Sequence, residues 1–265
     1  MLKTNWLREK LRNTSRPCIG TWITLPSAVT VDVICSVGPD FVIIDTEHAP
    51  ISFETAQLMT IACESRQVSP VFRVPGVIED RIVSALEIGS HAVQAPNIGS
   101  AEMALAFVRS SRYQPIGSKG LSPYTRACEY SADFADRMVK QANFNTLLVA
   151  QVEGRDGIDS MDAILAVGNI DVYFLGMFDL SNYLGIPGQL EHPKLRQLFS
   201  SLARKISDDG FIVGSIANNH EQLKFLIDAG VRYITYSADC HILSNAYREV
   251  FEMAHSLSIK RGEKV

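Results

Sequence analysis

Residues 41–50 read Phe-Val-Ile-Ile-Asp-Thr-Glu-His-Ala-Pro. The unbroken apolar run, rich in β-branched residues and closed by a proline, predicts a strand that is buried on both faces. Strands of this kind belong to parallel sheets whose two sides are covered by helices. Three ionisable side chains, Asp45, Glu47 and His48, follow immediately, where a simple turn would be expected. We therefore expect the chemistry of the chain to lie at the end of this strand.

Strand candidates alternate with helix candidates along the whole sequence. After an N-terminal helix at 3–13, strands are predicted at 18–24, 41–45, 71–74, 92–95, 146–152, 171–175, 211–216 and 233–236. The intervening helices are predicted at 29–37, 52–66, 78–88, 100–110, 134–143, 160–167, 193–207, 220–229 and 240–257. This alternation indicates βαβ units and a parallel sheet. Eight units in 265 residues favour an α/β fold with a single (β/α)₈ TIM barrel over 1–265, with its core at 15–258 and a frayed tail at 259–265.

Composition and charge exclude several classes of protein. The net charge is −4 and no basic cluster occurs, so we expect neither nucleic acid nor a membrane surface as a partner. The five cysteines are dispersed without a Cys-x-x-Cys pair, which disfavours a disulfide framework and a structural zinc site. The charged N-terminal segment lacks the apolar core of a secretory signal, and no apolar run is long enough to cross a bilayer. A cytoplasmic location is expected.

The active site of such a barrel lies at the C-terminal ends of its strands. Glu153 and Asp179 follow adjacent predicted strands, which lie about 4.8 Å apart, so their carboxylates could share one ion. Two oxygen side chains suit Mg²⁺ or Mn²⁺, which keep positions for water or substrate. A single strand-end acid could merely cap the next helix, but two of them with Arg73 and His48 converging favour a site. No lysine follows a strand, which disfavours an imine mechanism.

One segment interrupts the alternation. Residues 112–131 are rich in Gly, Ser, Pro and Tyr, and the segment is too long for an ordinary connection. Loops of this length are commonly functional, so we interpret it as a lid that carries Lys119 and Arg126.

The assembled motifs resemble those of the HpcH/HpaI aldolase family, the class II pyruvate-dependent aldolases. The matching stretches are Ile-Ile-Asp-Thr-Glu-His-Ala-Pro (43–50), Phe-Arg-Val-Pro (72–75), Leu-Glu-Ile-Gly (86–89), Tyr-Gln-Pro-Ile-Gly-Ser-Lys-Gly (113–120), Thr-Arg-Ala (125–127), Gln-Val-Glu (151–153) and Gly-Met-Phe-Asp-Leu-Ser (176–181). The resemblance runs from about residue 18 to residue 245. It implies a metal-dependent lyase that cleaves a 4-hydroxy-2-oxo acid to pyruvate and an aldehyde through a pyruvate enolate.

The resemblance also implies a role for each matching residue. Glu153 and Asp179 would bind Mg²⁺, Mn²⁺ or Co²⁺, and Arg73 would stabilise the enolate. His48, held by Asp45, would manage the proton of the 4-hydroxyl group. The remaining implied residues are Gln151, Gly176, Met177 and Phe178 at the pyruvyl carboxylate, Arg126 at the aldehyde pocket, and Glu87 as an aid to the histidine from a neighbouring subunit. The family forms hexamers built from trimers, so a trimer or hexamer with an exchanged last helix is expected.

Three positions depart from the family pattern. Met177 and Phe178 stand where Gly-Pro is usual, Lys119 replaces an arginine, and Glu87 replaces an aspartate. Alternatives within this architecture are a 2-dehydro-3-deoxy sugar acid aldolase and an oxaloacetate-decarboxylating enzyme of the macrophomate synthase type. An alternative from another class is a keto-acid-binding homologue with impaired turnover. A metal hydrolase is disfavoured because the histidine-rich ligand sets of such enzymes are missing.

Overall fold

Eight parallel strands form a closed barrel in chain order. The computed structural model describes residues 4–260 and the side chains of residues 4–257, so the predicted tail lies almost entirely outside the described residues. The strands are β1 (Cys18–Ile23), β2 (Phe41–Asp45), β3 (Ser69–Arg73), β4 (Ala92–Ala95), β5 (Leu147–Val152), β6 (Val172–Leu175), β7 (Ile212–Ala217) and β8 (Tyr233–Ala238). Each strand pairs with its successor, and β8 pairs with β1. The predicted TIM-barrel fold is confirmed.

One helix precedes β1 and the others follow the strands, most of them covering the outside of the barrel. They are α1 (Trp6–Asn13), α2 (Ala28–Cys35), α3 (Phe53–Ser65), α4 (Glu79–Glu87), α5 (Ala101–Ser111), α6 (Ala135–Asn145), α7 (Gly154–Asp159), α8 (Met161–Leu165), α9 (Met177–Tyr183), α10 (Pro193–Asp208), α11 (His220–Asp228) and α12 (Asp239–Lys260). Ser52 caps α3 by accepting a hydrogen bond from Thr55 N–H, and Ser100 caps α5 in the same way. Both caps stand at the predicted starts of these helices. Helix α7 and helix α9 were not predicted.

The barrel interior is filled by apolar side chains and closed at one end by α1. Leu7 and Leu11 of α1 are buried in the interior cluster beside Phe41, Val71 and other strand residues. The Asn5 side chain donates to the backbone carbonyls of His91 and Asn145, at 2.7 Å each. Helix α1 therefore seals the N-terminal end of the barrel and leaves the opposite end, where the strands finish, as the way in.

Helix α12 differs from the other helices because it hardly packs on its own barrel. Its apolar side chains are between 45% and 60% exposed; they are Ile242, Leu243, Tyr247, Val250, Phe251, Met253 and Leu257. Its contacts with its own barrel are mainly with β1 and β8, next to its first turn. Among the described residues, no helix is long and apolar enough to cross a membrane. The apolar face of α12 is therefore exposed to solvent in the single chain.

The 112–131 segment lies at the closed end of the barrel and not over the strand ends. Each barrel helix runs antiparallel to its strand, so the last residues of α3 and α4 return to the N-terminal end of the strands. Arg126 bonds to Glu64 near the end of α3, with Nη2–Oε2 at 2.6 Å, and to the carbonyl of Ile88 at the end of α4. Lys119 is buried as well. The lid interpretation is therefore wrong for the single chain.

Candidate active site

Arg73 and Asp45 form a buried ion pair at the ends of β3 and β2. The parallel register places the two residues directly side by side. Arg73 Nε donates to Asp45 Oδ1 at 2.9 Å, and Nη2 donates to Oδ2 at 2.5 Å. The indole of Trp22 from β1 lies under the guanidinium, 4.2 Å from its central carbon to the ring centroid. A bidentate pair stacked on an aromatic ring holds the guanidinium plane in one orientation.

Glu47 and His48 continue from the same strand end. The Asp45 carboxylate accepts hydrogen bonds from the backbone N–H groups of Glu47 (3.0 Å) and His48 (3.3 Å). Glu47 Oε2 lies 3.2 Å from Arg73 Nη1, and His48 Nε2 lies 3.7 Å from the same oxygen. The His48 side chain is 71% exposed. Asp45 therefore orients Arg73 and the backbone at His48, and within one chain it does not hold the imidazole as the resemblance implied.

Glu153 and Asp179 face a common space beside Gly176. Glu153 follows β5, and Asp179 lies in the first turn of α9, directly after β6. A Cβ atom at Gly176 would stand 2.7 Å from Asp179 Oδ2 and 3.8 Å from Glu153 Oε2. Glycine at this position therefore leaves a cradle between two carboxylate oxygens that any side chain would fill.

Burial and two neighbouring carboxylates disfavour the charged form of Glu153. Burial raises the pKa of its carboxyl above the ordinary value, hydrogen bonds from Gln151 and from Asn97 N–H lower it, and the Asp179 and Glu47 carboxylates raise it further. Glu47 Oε2 is itself buried and has no hydrogen-bond partner among the described residues, although Arg73 lies at ion-pair distance. Asp45, Glu47, Glu153 and Asp179 thus place four carboxylates at this edge of the barrel with the Arg73 guanidinium.

This arrangement fits a divalent cation of the hard, oxygen-binding kind. Mg²⁺ and Mn²⁺ are commonly held by one or two carboxylates and keep their other positions for water and substrate. A cation in the cradle at Gly176 would contact both carboxylates. Its positive charge would also stabilise the charged form of Glu153, which burial disfavours. Within residues 4–260 no cluster of three or more His, Cys, Asp or Glu side chains is close enough to form a larger metal site.

The predicted carboxylate-binding residues border the same space. Gln151 is buried; its amide nitrogen donates to Glu153 Oε2 at 2.7 Å, and its amide oxygen accepts from Gln94 at 2.9 Å. Gly176 precedes α9, Met177 is buried in its first turn, and Phe178 is 54% exposed at the edge. The structure therefore brings these four predicted residues to one side of the carboxylate pair.

Two predicted site residues lie elsewhere in the single chain. Glu87 is the last residue of α4 and stands 3.5 Å from Lys119 Nζ, at the closed end of the barrel. Arg126 is held there by Glu64. Neither residue contacts the strand-end group of its own chain. A role for Glu87 or Arg126 from a neighbouring subunit stays a prediction.

Sequence reasoning missed one contributor and undervalued another. Trp22 at the end of β1 stacks on Arg73 and donates from Nε1 to Thr235 Oγ1 at 3.0 Å. Its position at a strand end was the available signal, but a lone tryptophan there equally suits a barrel core. Gln94 lies near the end of a predicted strand, but its link to Gln151 depends on two strands that are distant in sequence.

Comparison with known proteins identifies the family. The family model described as HpcH/HpaI aldolase/citrate lyase matches residues 18–246. The chain belongs to the HpcH/HpaI family. It is 30% identical to a hydroxypyruvate/pyruvate aldolase of Roseobacter denitrificans over 87% of this chain and 90% of that protein. It is 30% identical to a 2-keto-3-deoxy-L-rhamnonate aldolase of Klebsiella pneumoniae over 100% of this chain and 98% of that protein.

A solved structure carries the same fold. A HpcH/HpaI aldolase/citrate lyase family protein from Burkholderia cenocepacia superposes with a TM-score of 0.87 at 28% identity, covering 95% of this chain and 100% of the other. The predicted family and the predicted enzyme class, a carbon–carbon lyase of the aldolase type, are confirmed.

Proposed function

We propose that this HpcH/HpaI family aldolase cleaves a 4-hydroxy-2-oxo acid to pyruvate and an aldehyde at a divalent-metal site formed by Glu153 and Asp179. The observation that carries the proposal is the cradle at Gly176, where oxygens of the two carboxylates face one space. The bound cation, Mg²⁺, Mn²⁺ or Co²⁺, would polarise the oxygens of the keto acid as a Lewis acid. Every other task falls to side chains at the same strand ends.

Arg73 stabilises the negative charge that develops on the keto acid oxygen. Retro-aldol cleavage leaves the electron pair of the broken C–C bond in the enolate of pyruvate, and a fixed cation beside that oxygen lowers the barrier. Asp45 uses two of the five guanidinium N–H groups, and Glu47 lies near Nη1, so donors remain that can face a ligand. Because Asp45 and Trp22 hold the guanidinium in place before substrate arrives, no energy is spent on orienting it during the reaction.

His48 takes the proton of the 4-hydroxyl group during cleavage and returns it during addition. Its imidazole is exposed at the end of β2, and histidine is the side chain most often used as a general acid and base. Glu47 Oε2 lies 3.7 Å from His48 Nε2. Gln151 and the start of α9 at Gly176–Phe178 border the space for the carboxylate of the keto acid.

The full-length similarity to a 2-keto-3-deoxy-L-rhamnonate aldolase favours a deoxy sugar acid as the substrate within this reaction class. The hydroxypyruvate/pyruvate aldolase of comparable identity favours pyruvate or hydroxypyruvate as the keto acid. Both reactions share the pyruvate half, so Glu153, Asp179, Arg73 and His48 have the same tasks in either.

The protein acts as a homo-oligomer in this proposal, a trimer or hexamer in which α12 packs on a neighbouring copy. The exposed apolar face of α12 supports this assembly, because a helix this long needs a packed partner. The outer faces of α2 and α3 offer exposed apolar side chains of their own, including Val29, Val33, Leu58 and Ile61. Closed symmetric assemblies are the usual result of such self-complementary surfaces.

Proton exchange of pyruvate tests the proposed chemistry without knowledge of the aldehyde. Protein loaded with Mn²⁺ is incubated with pyruvate in D₂O, the metal is then removed, and the remaining methyl proton signal is read by NMR. Exchange is expected with metal, and its loss is expected with EDTA or in the variant Asp179→Asn. Asp136→Asn, which changes an exposed carboxylate paired with Lys140, serves as the matched control and should exchange normally. Exchange that persists in EDTA, or its absence in the loaded wild type, would contradict the proposal.

A further inference from the structure

A line of hydrogen bonds crosses the barrel interior and ends on Glu153. The Tyr233 hydroxyl of β8 lies 3.4 Å from Gln94 Oε1 of β4. Gln94 Nε2 donates to Gln151 Oε1 of β5 at 2.9 Å, and Gln151 Nε2 donates to Glu153 Oε2 at 2.7 Å. Tyr233 and Gln94 are fully buried, and Gln151 is nearly so. We call these four residues the interior relay.

The donor direction of the interior relay is fixed by its last member. An ionised carboxylate only accepts hydrogen bonds, so Gln151 must present its amide nitrogen to Glu153. Its amide oxygen then faces Gln94, which must present a nitrogen in turn, and the oxygen of Gln94 faces the Tyr233 hydroxyl. Burial raises the pKa of that hydroxyl well above its ordinary value, so it keeps its proton for donation. Reversing any amide would set two acceptors against each other.

Glu153 is fixed at its other oxygen by the backbone. Asn97 N–H donates to Oε1 at 2.9 Å, and the next residue, Ile98, donates its N–H to the carbonyl of Gln151 at 2.9 Å. Asn97 has a positive φ of 54°, a conformation that asparagine tolerates better than most residues. A carboxylate has about four lone-pair positions, and two are now used. The two that remain are those available to a cation.

We infer that Gln94 and Tyr233 are positioning residues for the metal site: through Gln151 they hold the Glu153 carboxylate in the orientation that binds the cation. This inference rests on the proposed function, in which Glu153 is a metal ligand. Without Gln94, the Gln151 amide is free to rotate and to turn its oxygen toward Glu153. Partners that orient metal ligands typically contribute about 10- to 100-fold to metal affinity.

Direct Mn²⁺ binding to metal-free protein, followed by electron paramagnetic resonance, measures this effect without turnover. Gln94→Met keeps the size of the side chain and removes both polar atoms; we expect its Kd for Mn²⁺ to rise about 10- to 100-fold. Tyr233→Phe removes one long hydrogen bond, and a rise of about 2- to 5-fold is expected. Thr60→Val is the matched control, because it deletes a buried hydroxyl that bonds only within α3. Its affinity should equal that of the wild type.

A kinetic measurement separates positioning from a direct part in the reaction. Because the interior relay acts through affinity, saturating Mn²⁺ should restore most of the pyruvate exchange rate in Gln94→Met. A lower melting temperature with unchanged Kd in both variants would show a merely structural role and overturn the inference. Should Gln94→Met fail to fold, an unchanged Kd in Tyr233→Phe overturns it alone. If the wild type itself binds no Mn²⁺, the proposed function fails first, so the two failures are distinguishable.

Discussion

The buried pair of Asp45 and Arg73 allows a quantitative prediction for Asp45→Asn. The asparagine has the same shape but no charge, and one of its polar atoms is an N–H donor that faces a guanidinium N–H. Asp45 is 2% exposed and accepts four hydrogen bonds, from Arg73 Nε and Nη2 and from the backbone of Glu47 and His48. Removing one partner of a buried ion pair usually lowers the free energy of unfolding by about 3–5 kcal/mol.

The lower end of that range applies here because Glu47 remains 3.2 Å from Arg73 Nη1 as a second anion. We therefore expect Asp45→Asn to lower the free energy of unfolding in urea by about 3 kcal/mol. The freed guanidinium should also move from its stacked position over Trp22, and a misplacement of this kind costs about 100-fold in rate. Pyruvate exchange at saturating Mn²⁺ reports that loss.

Asp32→Asn is the matched control for this prediction. Asp32 makes a bidentate pair with Arg66 of the same form, at 2.7 and 3.0 Å, but both side chains are more than 40% exposed. Exposed pairs are screened by water and contribute little, so stability and exchange should hardly change. Equal losses of stability in the two variants would refute the argument that burial makes the Asp45 pair important. An unchanged exchange rate in a folded Asp45→Asn protein would refute the role given to Arg73.

Three further predictions follow from other features. Gly176→Ala should weaken Mn²⁺ binding about 10-fold or more, because the added Cβ would stand 2.7 Å from Asp179 Oδ2. Gly120→Ala is the control and should bind Mn²⁺ normally, because its Cβ would meet no atom within 4 Å. Equal Mn²⁺ affinities in the two variants would contradict the cradle. Burial, with help from Asp40, raises the pKa of Cys18 from 9.0 to about 11, so the unfolded chain ionises first and the free energy of unfolding should fall as pH rises through that window. Urea titrations at each pH should show that the free energy of unfolding of Cys18→Ala falls less steeply with pH than that of the wild type. Identical slopes would refute the assignment of this pH dependence to Cys18. Tyr247→Asp combined with Phe251→Asp on the exposed face of α12 should convert the proposed oligomer to single chains in light scattering, whereas Glu249→Gln should leave its mass unchanged. An unchanged mass in the double variant would contradict the proposed packing of α12 on a neighbouring copy.

The sequence predicts the barrel well because each strand is a buried apolar run between polar turns. Strand β2 at Phe41–Asp45 and strand β4 at Ala92–Ala95 have the predicted bounds. Strand β3 begins earlier than predicted, at Ser69–Pro70, since a proline can occupy the first part of a strand. Helices α7 and α9 escaped prediction because they are short and their stabilisation comes from tertiary packing, not from local propensity.

The candidate site was predictable to the extent that strand ends define it. Asp45 and Arg73 lie at the ends of predicted strands, Glu153 and Asp179 come shortly after predicted strands, and parallel strands bring such positions to one edge. What the pattern could not show is which partner each side chain takes. Asp45 could equally have held His48, which is near in sequence, but the strand register sets it beside Arg73. Arg126 lies 62 residues from Glu64, and no local signal connects them.

The position of α1 has a consequence for how the chain folds. Asn5 bonds to carbonyls 86 and 140 residues away, and Arg232, which precedes β8, bonds to the carbonyl oxygens of Leu11 and Thr14. Helix α1 precedes every strand in the chain, so the surface that binds it is complete only once β8 has been made. Contacts of such long sequence separation form slowly, since a large loop must close before they contribute. Docking of α1 and closure of β8 against β1 should accordingly be one late, cooperative event that completes the barrel.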